Sequence, residues 1–187
     1  MLGFSRSRLC AGLALVASAL GTPDPASAAG AADASIAWTK DFKAAERQAR
    51  AEARLVLVDF WADWCSWCHE LDRTTYRDPT VVDVSRDFVA VKVNAEGGPG
   101  EAALAARYRV EKLPTIGFLT PGGRLFLRRT AYEGPEPFTA TLKEARRVGA
   151  QAIAFEAALA FDGADPAALA GLGSLLAEQK LVADARE

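Results

Sequence analysis

The chain has 187 residues, half of them apolar and a quarter charged, and a net charge of −2. That is the make-up of a globular protein with enough chain for one full core and a surplus. The basic excess of a nucleic-acid binder is missing, and no stretch has the pattern of a basic amphipathic membrane helix.

Residues 1–28 read as a secretory signal peptide. Arg6 and Arg8 give a positive start, Leu9 to Leu20 is apolar, and Ala26-Ser27-Ala28 has the small-x-small cleavage pattern. The apolar run is shorter than the roughly 20 residues that span a bilayer, so no stable membrane insertion is expected after cleavage. Cys10 begins that run instead of ending it, which argues against a lipid anchor. Residues 29–35 are expected as a flexible leader, and the expected location is periplasmic or otherwise exported. Cleavage removes Cys10 and leaves Cys65 and Cys68 as the only cysteines.

Ile36-Ala37-Trp38 is expected as a short first strand. Asp41 to Arg54 is Ala-rich, with good helix formers throughout. Leu55 to Trp61 is apolar on both faces, which places it centrally in a sheet. Cys65 to Tyr76 reads as a helix stopping near Asp78-Pro79, and Thr80 to Arg86 continues as a short helical turn. Phe88 to Val93 is a second buried strand. The breakers Gly97-Gly98-Pro99-Gly100 follow, and Glu101 to Tyr108 is a helix. Thr115 to Thr120 and Arg124 to Arg128 are strands joined by the turn signal Pro121-Gly122-Gly123. Phe138 to Ala160 is a long helix, separated by Gly163 and Pro166 from a last helix over Ala167 to Ala183. From Leu55 onward the order is βαβαββα plus one helix. This is an α/β pattern: a parallel βαβ unit, then a hairpin.

Trp64-Cys65-Ser66-Trp67-Cys68 falls at a predicted strand-to-helix junction. A thiol that caps a helix faces its unpaired N–H groups and the positive end of its dipole. That environment favours the thiolate, which is the nucleophile. Cys68, three residues on, lies on the same helical face and can resolve a mixed disulfide. A bridge between such close partners removes little chain entropy, so chemistry explains the pair better than stability does. Asp59 is the second signal. A carboxylate inside an apolar strand is costly unless it has a partner or a job. Burial would raise its pKa and make it a usable base near neutral pH; the alternative is a strand-end Asp that reaches water. Lys92 interrupts the second strand in the same way. It either snorkels to water or sits beside the buried acid.

The run Val58-Asp59-Phe60-Trp61-Ala62-Asp63-Trp64-Cys65, with Cys68 and Leu113-Pro114-Thr115, resembles the thioredoxin superfamily over about Ile36 to Val148. Thr74-Thr75-Tyr76, followed by Asp78-Pro79 and Val81, is similar to exported members. These include the periplasmic domain of transmembrane thiol–disulfide interchange proteins. The resemblance implies a thioredoxin fold, a central mixed sheet flanked by helices, over residues 36–149. Residues 150–187 are then a C-terminal helical extension. It implies that Asp59 deprotonates the resolving Cys68, that Lys92 neighbours Asp59, and that Pro114 is cis. It also implies that the Leu113 main chain pairs with an extended substrate segment, in a loop that discourages metal binding. Trp64, Ser66 and Trp67 join Leu113 and Pro114 as substrate-binding candidates. Ser66-Trp67 replaces the Gly-Pro of the cytosolic pattern, so the redox potential does not carry over. The family's groove-lining glycine falls at either Ala131 or Gly134. His69 either tunes the dithiol or faces outward.

The resulting expectation is an exported thiol–disulfide oxidoreductase that reduces protein disulfides through Cys65 and Cys68, with no bound cofactor and no metal. Its partners are protein thiols and disulfides, together with a membrane-embedded electron donor; nucleic acid is not among them. Two rival readings remain. Cys65-Ser66-Trp67-Cys68-His69 also spells the c-type haem attachment pattern. The chain, however, has one histidine and one methionine, the initiator, so nothing supplies the second axial ligand. The other rival is a non-catalytic adaptor of the same fold, which would have no need of an intact dithiol. A zinc site is weaker still, because a second Cys-x-x-Cys is missing.

Overall fold

The computed structural model describes residues 35–179. The expected signal peptide, the leader up to residue 34 and residues 180–187 lie outside the described residues. Four strands form one mixed sheet in the order β2-β1-β3-β4. They are β1 (Leu55–Trp61), β2 (Phe88–Asn94), β3 (Thr115–Leu119) and β4 (Leu125–Thr130). β1 and β2 run parallel, with Asp59 opposite Lys92. β1 with β3, and β3 with β4, run antiparallel.

The helices are α1 (Phe42–Glu52), α2 (Ser66–Arg73), α3 (Pro79–Ser85), α4 (Pro99–Arg107), α5 (Pro135–Phe161) and α6 (Pro166–Glu178). Several start where the sequence supplies a cap. Asp41 accepts from the Ala44 N–H at 2.9 Å at the head of α1. Asp78 accepts from Thr80 and Val81 ahead of α3, with Pro79 in the first turn where no donor is needed. Asp165 and Pro166 repeat that device for α6.

β1 is central and almost wholly buried, and its side chains alternate between two layers. Phe60 packs on Tyr108 at the end of α4, and Tyr108 packs on Phe42 of α1. Leu55, on the opposite face, meets Gly149 of α5. Each fully buried Val, Leu or Phe contributes roughly 1.5–3 kcal/mol, so this strand anchors the core. α6 adds buried Leu172, Leu175 and Leu176 to the same core.

Three expectations are corrected. Ile36-Ala37-Trp38 is not a strand. The Ile36 N–H bonds Tyr76 O at 3.0 Å, away from the sheet, and the chain pairs with β2 only at the next residue, Thr39, in an isolated bridge to Val91. The helix after Cys65 breaks at Thr74, whose hydroxyl bonds Glu70 O at 2.6 Å; a 3₁₀ turn over Thr75–Arg77 follows. The last helix ends at Glu178. In addition, α5 runs unbroken through residue 150, so the divide expected there falls inside a helix.

Candidate active site

β1 delivers the chain to a short loop, and Cys65 then caps α2 in an extended conformation. Its Sγ accepts from the Cys68 N–H at 3.2 Å. Its carbonyl takes the Cys68 and His69 N–H groups at 3.0 and 3.2 Å. Cys65 and Cys68 are joined as a disulfide, and both residues are buried. When the bond is reduced, the same N–H and the helix dipole favour a Cys65 thiolate, by about 0.3–1 kcal/mol for such a terminus. Trp64 and Trp67 flank the pair and stand out into solvent, 66% and 57% exposed.

A charge cluster joins β1, β2 and α2. Asp59 is fully buried, with Lys92 Nζ 3.3 Å from its Oδ2. That pairing acts by charge, since neither Asp59 oxygen has hydrogen-bond geometry to a partner among the described residues. Lys92 also pairs with Asp72 of α2. Its ammonium lies 5.4–5.6 Å from the ring centroids of Trp38, Trp61 and Tyr76. Opposite charge and ring faces together compensate its own desolvation. Burial pushes the Asp59 carboxyl up to about 6; Lys92 opposes that rise and Asp72 adds to it. Burial, and then the Asp59 charge, likewise hold the Tyr76 phenol well above its usual range.

Beside the disulfide is a mostly apolar cleft of about 460 Å³. Leu113 and Pro114, joined by a cis peptide bond, line it. So do Trp67 and Tyr132, whose ring centroids lie 5.4 Å apart. Ala131 lines this cleft at φ 151°, whereas Gly134 serves as the cap of α5.

A family profile described as Thioredoxin-like matches residues 37–121. Over 103 residues, 54% of its length, the chain is 35% identical to the thiol:disulfide interchange protein DsbD of Ralstonia nicotianae. It covers only 17% of that relative. Among solved structures, a thioredoxin from Thermus thermophilus superposes with a TM-score of 0.56 at 28% identity, over 62% of this chain and 91% of the thioredoxin. The oxidised C-terminal domain of Neisseria meningitidis DsbD gives 0.50 at 25% identity, over 58% of this chain and 99% of the domain. The chain is similar to the thioredoxin superfamily over residues 37–121. It has the fold of that family with an added C-terminal helical extension.

The thioredoxin-like arrangement brings together Cys65, Cys68, Ser66, Trp67, Leu113 and Pro114 around the disulfide and its cleft, with Asp59 and Lys92 buried as a pair. His69 turns elsewhere. Its Nε2 lies 2.8 Å from the Asp63 carbonyl, and its ring sits edge-on to Trp61. A c-type haem would take both thiols as thioethers on its vinyl carbons and the His69 nitrogen on its iron; here the two thiols are bonded to each other and His69 Nε2 meets the Asp63 carbonyl. Asp72 and Tyr132 escaped the sequence reading. Asp72 lies inside an ordinary helix pattern, and Tyr132 is 65 residues from Trp67, so only the fold joins them to the site. No helix among the described residues is long and apolar enough to cross a membrane.

Proposed function

We propose that this chain is an exported thiol–disulfide oxidoreductase that reduces protein disulfides. The observation that carries the reading is a Cys65–Cys68 disulfide at a helix start, with a fully buried acid at the end of the adjoining strand. In the reduced protein, the Cys65 thiolate attacks one sulfur of a substrate disulfide. The substrate S–S bond breaks, its first sulfur leaves as a thiolate and takes a proton, and a mixed disulfide forms. Cys68 gives its proton to the Asp59 carboxylate and attacks Cys65 Sγ. The second substrate sulfur leaves as a thiolate and takes up a proton, Asp59 gives its proton back to solvent, and the Cys65–Cys68 bond closes. Two electrons and two protons have then passed to the substrate. With its pKa near 6, Asp59 is mostly ionised at pH 7 and able to accept that proton.

The roles of Trp64, Ser66, Trp67 and Leu113-Pro114 in holding substrate belong to this reading, as does tuning by Lys92. Oxidised protein must be reduced again, and an exported protein draws those electrons from a membrane-embedded donor. Support comes from the DsbD relatives, which are thiol:disulfide interchange proteins. Export rests on residues 1–28 acting as a cleaved signal.

Two measurements test the reading. An equilibrium potential against glutathione near about −270 mV supports the reductase direction; a value near about −120 mV would make the protein an oxidant. Cys68→Ser is expected to accumulate a mixed disulfide through Cys65. If Cys65→Ser traps substrate as efficiently, the assigned roles are reversed.

A further inference from the structure

The cleft beside the disulfide has an aromatic wall that is fixed in place before any substrate arrives. Thr74 Oγ1 gives its only proton to Glu70 O at 2.6 Å, so the Tyr132 hydroxyl, 3.3 Å away, is the donor in their contact. The next residue is tied down twice. The Glu133 carbonyl accepts from the buried Thr75 hydroxyl at 2.7 Å, and its carboxylate accepts from Thr141 at 2.9 Å. The ring of Tyr132 is therefore held against Trp67, the residue between the cysteine partners. A wall ordered in advance spares the ordering cost that binding would otherwise incur. Lys112 is the one charged residue lining the cleft, and it is exposed.

We propose that this cleft takes a bulky apolar side chain, aromatic or branched aliphatic, from the substrate residue next to the reacting cysteine. Tyr132 and Trp67 are the residues that select it. The proposal rests on the oxidoreductase reading and names the substrate feature that this site prefers. A ring or branched aliphatic chain between Trp67, Tyr132 and Pro114 gains contact on both sides, and aromatic pairs add about 0.5–1.5 kcal/mol beyond area. A small or polar side chain there gains little, and a polar one is desolvated without a partner. An acid gains little from Lys112, because an exposed ion pair is weak.

The test uses protein purified after export, reduced, and mixed in single turnovers with three disulfide-linked peptides. The peptides differ only in the residue after the cysteine: Phe, Ser or Asp. The Phe peptide is expected to react about tenfold faster than the other two, the effect of one side chain partly buried. Tyr132→Ala is expected to bring the three rates together, while Tyr132→Phe, which keeps the ring but loses the tether to Thr74, keeps a smaller preference of the same order. Trp67→Ala is the second variant, should Tyr132→Ala fail to fold. Equal rates in the unaltered protein, a preference that survives these truncations, or faster reaction of the Asp peptide would each overturn the proposal. Glutathione disulfide separates the two readings. If the unaltered protein reacts with it yet shows no peptide preference, only the cleft proposal fails. If nothing exchanges, the oxidoreductase reading falls, and this one with it.

Discussion

The two ends of β1 bury different things on the same face. At Leu55 the strand packs so closely against α5 that a methyl group added at Gly149 would sit 2.6 Å from a Leu55 carbon and 2.8 Å from the Phe126 ring. Four residues along, Asp59 is just as buried but meets an ammonium and, beyond it, a second carboxylate. One end gains free energy by excluding water. The other gives some up, because desolvation disfavours the charged form of the acid.

The sharpest break in that comparison is a pair of substitutions two residues apart. Leu57 is fully buried, and Leu57→Ala is expected to cost about 2–5 kcal/mol in chemical denaturation, equally at pH 5 and pH 8. Asp59→Asn is expected to act in the opposite direction and to depend on pH. The folded pKa of Asp59 lies near 6, above its ordinary 3.8, so the folded protein binds the proton more tightly than the unfolded chain. Stability attributable to this group is therefore complete below pH 3.8 and is lost as pH rises through about 6. Replacing the acid removes that loss. The variant gains about 1–3 kcal/mol at pH 8, and the gain fades toward pH 4. Removing one partner of a buried ion pair ordinarily costs several kcal/mol, but Lys92 keeps Asp72 and three aromatic rings. The same variant should slow resolution by Cys68 and abolish the rise of that rate with pH near 6. A variant less stable at pH 8 than the parent would show that the Asp59 charge is net favourable in the fold.

Much of this contrast was legible in the sequence, and the reason is chemical. Asp59 and Lys92 each interrupt an otherwise apolar strand, and such an interruption carries its cost visibly. The four strands followed from apolar runs bounded by Gly, Pro and Asp signals, and the order of elements followed from them. What stayed hidden depends on contacts far apart in the chain. Ile36-Ala37-Trp38 has strand composition, yet its first N–H finds Tyr76, 40 residues on. Asp72 reads as one more helix acid until Lys92 reaches it across the fold. In the sequence Thr74 and Thr75 carry only a family likeness, whereas in the fold their hydroxyls meet the segment that carries Tyr132.

The smallest expected effect concerns Ala131, the one of the two candidate groove positions that lines the cleft. Ala131 holds φ 151°, a region that side-chain-bearing residues rarely adopt. Strain of this kind costs about 1–3 kcal/mol. Ala131→Gly relieves it, while the freer unfolded chain takes back about 0.4–1 kcal/mol. The net expectation is a gain of about 1 kcal/mol, seen as a rise in Tm of roughly 3 °C for a domain of this size. The substitution also removes a methyl group from the cleft that Trp67 and Tyr132 enclose. If the melting temperature falls instead, the packing of that methyl group outweighs its backbone strain, and the alanine contributes to the cleft wall in its own right.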